Sequence, residues 1–313
     1  MNDAPRPRVA VSSCLLGDLV RYNGGHSRDR FLDDRLAPYV DWLPLCPEME
    51  IGLGAPRESL HLEESPDGPR LITRATHRDH TEPMTTLAAT RCAGLDADGY
   101  VFKSKSPTCG IHGVAIYRGD RAVDHRHRGL FAAAVMEAHP LLPVEDEGRL
   151  HDPVLREAFV ERVFAHARLR ALLEGDWQPR DLVSFQARHK MQILAHAAYE
   201  ETGRLAAEAG TRSRESLATE YADAFRRALA CKSSTGRHVN VLQHCLGMLD
   251  LDPVRRTDLL DVIESYRHQR VALSVPVTLL RHHARGEGAS WVEQQTYLNP
   301  YPEELGLRNH IAP

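Results

Sequence analysis

Cys14, Cys46 and Cys109 share one setting. Each follows a short apolar run that reads as a buried strand: Val9-Ala10-Val11 before Cys14, Trp42-Leu43-Pro44-Leu45 before Cys46, and Tyr100-Val101-Phe102 before Cys109. In an open α/β sheet, ligands bind beyond the carboxyl ends of the strands. Three thiols at three strand ends can therefore meet although they lie far apart in the chain. Thiolates are the usual ligands of iron–sulfur clusters. Three of them leave one iron of a [4Fe–4S] cube without a protein ligand, and such an iron is a Lewis acid suited to a soft sulfur atom. The wide spacings and the lack of any CxxC pair argue against a zinc ribbon or a thioredoxin-like motif. The competing reading is three buried cysteines acting as small apolar side chains. Cys92, inside a helix candidate, and Cys231 and Cys245, at apolar positions of later helices, are expected to serve packing alone.

The neighbours of the three cysteines add polar chemistry. Glu48 stands two residues past Cys46, and a partly desolvated carboxylate there can act as a general base. Ser106 stands three residues before Cys109, close enough to hydrogen-bond a substrate or relay a proton. Ser13 precedes Cys14, and Arg21-Tyr22-Asn23-Gly24-Gly25 follows it. That glycine-rich polar stretch suits a close approach of backbone to ligand. Plain turn and helix-start roles stay open for Glu48, Ser106 and Asn23. Glu145-Asp146-Glu147 reads as a solvated turn, with a lining of the cleft as the alternative. No GxGxxG fingerprint is present, so neither a nicotinamide nor a flavin is implied.

The elements that must carry these residues follow from periodicity. Strands are expected over 8–13, 41–45, 71–73, 99–104 and 113–117, and helices over 28–39, 84–95 and 125–138. The alternation predicts a parallel or mixed sheet flanked by helices, closed by a strand near 141–149. Beyond a helical connector over 151–180, helical period continues almost unbroken, with helices expected over 181–209, 213–230, 236–250 and 253–286. The fold class is thus an α/β, Rossmann-like domain over 1–150 followed by an all-α domain over 181–313.

Composition bounds the setting. The chain has 313 residues, long enough for two domains, with 42% apolar and 26% charged residues. Its formal net charge is -4, so global charge does not announce a nucleic-acid binder. No apolar run is long enough to cross a membrane. The first eight residues lack an apolar core, so no secretory signal is expected. Six cysteines in a chain this long do not make a disulfide scaffold, and a reducing cytoplasm is the expected location.

At these residues a family becomes visible. Ser12-Ser13-Cys14-Leu15-Leu16-Gly17, Arg21-Tyr22-Asn23-Gly24, Cys46-Pro47-Glu48, Gly52-Leu53-Gly54-Ala55-Pro56-Arg57-Glu58 and Lys103-Ser104-Lys105-Ser106-Pro107-Thr108-Cys109-Gly110 together resemble the thiouracil desulfidase (TudS) family. The resemblance implies a [4Fe–4S] cluster on Cys14, Cys46 and Cys109, a catalytic acid/base at Glu48 and a catalytic serine at Ser106. Asp181-Leu182-Val183-Ser184-Phe185-Gln186-Ala187-Arg188-His189-Lys190 and Gln295-Thr296-Tyr297-Leu298-Asn299-Pro300-Tyr301-Pro302 resemble the YbgA-like helical domain. The fusion is similar to the RudS type, which implies removal of sulfur from 4-thiouridine in tRNA, with uridine and hydrosulfide as products and no membrane partner.

Two other readings stand beside it: a desulfidase of free 2-thiouracil, and a non-catalytic iron–sulfur RNA binder that senses oxidation. Residues 151–313 carry as many acidic as basic side chains, so RNA contact must come from local patches. Arg188 with Lys190, and Arg281 with Arg285, are candidates for the helical domain. Ser13, Arg21, Asn23 and Lys103 are candidates for the cleft. The rings of Phe185, Tyr199 and Tyr297 are expected to pack in the core.

Overall fold

The computed structural model describes residues 5–311. The chain divides into two compact units, residues 6–159 and 160–313.

The first unit runs β1 (Arg8–Ser12), β2 (Asp41–Leu45), α1 (Pro47–Glu50), β3 (Leu60–Glu63), β4 (Arg70–Thr73), α2 (Thr81–Ala93), β5 (Gly99–Phe102), β6 (Val114–Arg118), β7 (Arg121–His127), α3 (Leu130–Ala138) and β8 (Val144–Asp146). Four strands form an all-parallel sheet in the order β2-β1-β5-β8. The central strands β1 and β5 are buried at nearly every position, as strands covered on both faces are. A second sheet, β4-β3-β6-β7, is mixed: β3 and β6 are parallel, and β4 and β7 add as antiparallel edges. Tyr100 and Phe102 stack at 3.7 Å between ring centroids and meet Phe131 of α3 edge-on, joining sheet to helix.

Three expectations change here. The stretch 28–39 is a π-helical turn over Phe31–Leu36 and a 3-10 turn over Ala37–Tyr39, because Pro38 cannot sit in a regular helix interior. The helix expected over 125–138 begins at Leu130, and Arg121–His127 before it is β7, hairpinned onto β6. Strand β3 was not expected, although Leu60-His61-Leu62-Glu63 alternates.

Helix α4 (Pro153–Glu174) opens on Asp152, whose Oδ1 accepts the N–H groups of Val154 and Leu155. The division between the units falls within α4, between Phe159 and Val160. The break in composition near 150 marks the turn before this helix rather than a packing boundary. The second unit continues through α5 (Pro179–His196), α6 (Glu200–Ala207), α7 (Arg214–Ala230), α8 (Thr235–Gly247), α9 (Pro253–Arg267), α10 (Ser274–Glu287) and the short α11 (Ser290–Glu293). The two longest expected helices are each broken, at 197–199 and at 268–273. Gln269, in the left-handed region at φ 56°, marks the second break. Leu242, Cys245, Leu280 and Tyr297 lie in one core cluster, and Leu182, Phe185, Tyr221 and Phe225 in another. No helix among the described residues is long and apolar enough to cross a membrane.

Candidate functional site

In the order β2-β1-β5-β8 the chain leaves β1 for one flank and later returns to the other. Such a switch point opens a crevice beyond the strand ends. Cys14 lies in the 3-10 turn Ser13–Leu16 that follows β1, a turn closed by Gly17 at φ 104°, which suits only glycine. Cys46 stands between β2 and α1, with Pro47 at the first helical position. Cys109 sits in the loop after β5. All three line one cavity of about 540 Å³, together with Ser12, Ser13, Glu48, Lys103 and Ser106.

Burial raises every thiol in this cavity. Cys14 is pushed up to about 11, with Cys46 adding to the effect. Cys109 is pushed up to about 12, with Glu48 adding. Cys46 is also raised by burial, although the N–H of Met49 opposes the shift. Two buried thiols, Cys14 and Cys109, and the half-buried Cys46 become ligands when a metal group displaces their protons. Among the described residues, no three His, Cys, Asp or Glu close around a single ion. On one ion, with metal–sulfur bonds of about 2.3 Å, two thiolates stand at most about 4.6 Å apart. A cluster that gives each thiolate its own iron takes a wider triangle. Three thiolates on one cavity are a donor set that iron–sulfur clusters take, so these residues fit such a cluster.

Glu48 and Ser106 meet through a residue not singled out in the sequence. Thr108 Oγ1 donates to Glu48 Oε1 at 2.6 Å and lies 2.8 Å from Ser106 Oγ. Ser106 Oγ accepts the backbone N–H groups of Thr108 at 3.2 Å and Cys109 at 3.1 Å. The other carboxylate oxygen, Glu48 Oε2, takes both Nε and Nη2 of Arg57, a buried fork. Arg57 Nη1 donates to the carbonyls of Val20 at 2.8 Å and Gly54 at 2.7 Å, which fixes the guanidinium.

The loop that carries Ser106 and Cys109 is held from behind by α3. Gly129 N donates to Gly110 O at 2.7 Å, Leu130 N to Pro107 O at 3.1 Å and Ala132 N to Thr108 O at 3.0 Å. The loop carbonyls thus satisfy donors that a helix start leaves open. A Cβ on Gly129 would stand 2.4 Å from the carbonyl carbon of Thr108, so the backbones touch there with no room for a side chain.

The remaining cleft candidates separate. Ser13, Arg21 and Lys103 line the cavity. Lys103 is engaged: its Nζ pairs with Glu147 Oε1, and its N–H donates to Ser12 Oγ at 2.9 Å. Glu147 also accepts the N–H of Ser104 at 2.8 Å and its hydroxyl at 2.7 Å. Burial pushes Glu147 up, yet Lys103 and Ser104 outweigh it and hold the carboxyl below its usual range. Glu147 is therefore a half-buried strut beside the site, not a solvated turn residue. Asp146 is buried as well, facing His112 Nδ1 at 3.1 Å. Asn23 does not line the cavity. Its Oδ1 accepts the N–H of Gly25 at 3.1 Å in a local turn. Arg74 and Lys105, not singled out in the sequence, line the cavity with Arg21 and exposed Tyr22.

In the helical unit, Arg188 is exposed, and Lys190 Nζ stands 4.6 Å over the ring of Tyr199. Arg285 is exposed, but Arg281 is held by Glu303 at 2.9 Å. Phe185 and Tyr297 are core residues. Cys92 and Cys245 are buried as expected, whereas Cys231 is exposed at the end of α7, because the helix stops at Ala230 and leaves it on the surface.

The 2-thiouracil desulfurase family model matches residues 9–147, and the model of DUF1722, a protein family of unknown function, matches residues 190–302. The chain is 26% identical over 153 residues to the uncharacterized protein YbgA of Escherichia coli (strain K12), covering 47% of this chain and 90% of YbgA. It is 32% identical over 114 residues to the uncharacterized protein YbbK of Bacillus subtilis (strain 168), covering 33% of this chain and 72% of YbbK. A solved structure of the [4Fe-4S]-dependent thiouracil desulfidase TudS is 28% identical, with a TM-score of 0.38 over 49% of this chain and 97% of that one.

Proposed function

Because this chain belongs to the 2-thiouracil desulfurase family and carries a YbgA-like DUF1722 domain behind that part, we propose that it removes sulfur from 4-thiouridine in tRNA, leaving uridine and hydrosulfide. The observation that carries the reading is the convergence of Cys14, Cys46 and Cys109 on one cavity with Glu48 and Ser106. Cys14, Cys46 and Cys109 would hold a [4Fe–4S] cluster, which would supply Lewis acidity for a thiocarbonyl sulfur through an iron left without a protein ligand. The net change is hydrolytic: water gives its oxygen to the ring carbon, the C–S bond breaks, and sulfur leaves with a proton. No electron is gained or lost, so no redox partner is needed. Ser106 and Glu48 move the protons that this exchange requires. Lys103, fixed by Glu147, holds the strand end from which the Ser106 loop departs.

The choice of tRNA rests on charge at the cavity mouth. Of the cations that line it, Arg57 is paired with Glu48 and Lys103 with Glu147. Among the described residues Arg21, Arg74 and Lys105 make no ion pair, and they suit phosphates on either side of a base extruded from its stack. Arg188, Lys190 and Arg285 are proposed as backbone contacts of the helical unit. Arg281 contributes less, since Glu303 already neutralises it. A second reading, desulfidation of free 2-thiouracil, is favoured by the description of the matched family.

The test uses the full chain purified without oxygen. Iron and acid-labile sulfide are measured first, and the protein is then incubated with thiolated tRNA or with free 2-thiouracil. Sulfide release from the tRNA, with loss of its 4-thiouridine absorbance, is the expected result. An iron-loaded protein that releases sulfide from 2-thiouracil alone would replace the tRNA reading with the second one.

A further inference from the structure

We propose that a second cavity, between one face of the β2-β1-β5 sheet and the ends of α2 and α3, is a ligand site of its own. It takes an uncharged, mainly apolar small molecule that carries a hydrogen-bond acceptor. This goes beyond the desulfidase reading and does not depend on it.

The cavity follows from one row of side chains. Ala10 of β1 stands in register with Leu43 of β2 on one flank and with Tyr100 of β5 on the other. Residues paired in this way project from the same face of a sheet. A methyl group thus lies between two long side chains, and the row is hollow at its centre. Helix α2 ends at Ala93, and Leu95 after it, with Phe131 and Val135 of α3, forms the opposite wall. The space between is about 430 Å³, within the range of small-molecule sites. Among the described residues Leu45 is the only one that lines both this cavity and the three-cysteine cavity, so the two are distinct.

One polar atom deep in this cavity waits for a partner. Tyr100 is 1% exposed and lines the cavity, and its buried hydroxyl meets no hydrogen-bond partner among the described residues. Buried polar groups in folded proteins are nearly always paired, so this one calls for a partner from outside the chain. A tyrosine hydroxyl is protonated at neutral pH and donates its hydrogen, so that partner is an acceptor.

The mouth sets the charge. Arg91 Nε donates to Glu50 Oε2 at 2.7 Å, and Arg8 pairs with Asp96; all four residues line the cavity. Two cations matched by two acids select neither sign. A charged ligand passing them would lose its water against Leu43, Leu45, Leu95 and Val135 and gain no counter-charge in return. An uncharged molecule loses little there and gains apolar contact, with the Tyr100 hydroxyl to fix its orientation.

The test titrates the full chain calorimetrically with benzamide, which is uncharged and carries a carbonyl acceptor, and with benzoate and benzamidine, which keep its shape and add a negative or a positive charge. Benzamide is expected to bind one site with a Kd of about 1 mM or tighter, and the two ions at least about tenfold more weakly. Tyr100→Phe removes the hydroxyl, leaves the walls in place and is expected to weaken benzamide about three- to tenfold. Leu95→Trp fills the cavity from its rim and is expected to abolish binding while iron content and melting stay at wild-type values. A crystal structure of the wild-type chain with benzamide needs no variant, and is expected to place the carbonyl oxygen within hydrogen-bond distance of Tyr100 Oη. No saturable binding of benzamide to wild type overturns the proposal. Binding undiminished in folded Tyr100→Phe, or persisting in folded Leu95→Trp, assigns benzamide to another place and overturns it as well. Tighter binding of benzoate or benzamidine than of benzamide overturns the uncharged class.

Discussion

Glu48 in the first unit, half-buried, and Glu161 in the second, fully buried, are both carboxylates set against an arginine, and they are used differently. At Glu48 the two oxygens are divided: Arg57 holds one, and a hydroxyl chain that leads to the cavity takes the other. At Glu161 both oxygens face groups that fix the fold. Gln192 donates at 2.9 Å, His196 Nε2 lies 3.7 Å away at ion-pair distance, and Arg308 Nη2 lies 3.7 Å from the second oxygen. His196 in turn donates from Nδ1 to Cys231 O at 2.8 Å, and Arg308 donates to Tyr297 O at 2.5 Å. The comparison teaches that a buried carboxylate indicates function only when one of its oxygens leads to space a substrate can enter. Glu161 ties α4 and α5 to the segment that follows α11.

The comparison breaks first at the sulfurs. Cys14→Ala, Cys46→Ala and Cys109→Ala are each expected to abolish iron binding, whereas Cys245→Ala in the helical core and Cys231→Ala on its surface keep iron at wild-type stoichiometry. Iron analysis after anaerobic reconstitution decides the matter, and near-normal iron in Cys109→Ala would remove it from the ligand set. The next largest effect belongs to the second unit. Glu161→Ala removes a counter-charge from buried His196 and Arg308 and is expected to cost about 3–5 kcal/mol of stability. Urea unfolding measures it, and a loss below about 1 kcal/mol would show that the network is not holding the helices. Smaller again, Gly129→Ala forces a methyl group against the Thr108 carbonyl and is expected to cost about 1–3 kcal/mol and to weaken cluster retention. Unchanged melting and iron content would mean that the loop yields freely.

The smallest effect is one of pH. Burial pushes Glu161 up, but His196, Arg308 and Gln192 outweigh it and hold the carboxyl far below its usual range. Burial pushes His196 down, but Glu161 and the Cys231 carbonyl outweigh it and raise the imidazole. The depressed acid adds stability above its ordinary value of about 4.3, lost as pH falls through the folded value. The raised histidine adds stability fully below about 6.5, lost as pH rises through its folded value. Both contributions overlap between those limits, so the melting temperature is expected to decline as pH rises above about 6.5. Glu161→Gln is expected to flatten that decline. An equal slope in the variant would assign the dependence to other groups.

The comparison also shows what a sequence can carry. The three cysteines were legible because each ends an apolar run and a parallel sheet gathers such ends at one edge. Glu48 and Ser106 were legible by their distance from those cysteines. Thr108 lay in plain view within the same stretch, but sequence does not say which of two hydroxyls in a turn faces a carboxylate sixty residues earlier in the chain. Glu147 was misjudged for the same reason, since its partner Lys103 is remote in sequence and its neighbours are acidic. Strand β7, Arg121-Ala122-Val123-Asp124-His125-Arg126-His127, is too polar to announce itself and owes its form to pairing with β6. Arg281 looked like a free cation until Glu303 was placed beside it.

The seam between α3 and the cysteine loop has a consequence in time. Three amides at the start of the helix, Gly129, Leu130 and Ala132, take their acceptors from Gly110, Pro107 and Thr108. The loop cannot swing away without releasing all three together and fraying the helix from its first turn. Local opening here is therefore cooperative, and in heavy water these amides are expected to exchange as one group, at one rate. That rate is a clock for the site, readable with or without a chromophore in the cavity: whatever steadies the loop slows it, and whatever loosens the loop speeds all three amides at once.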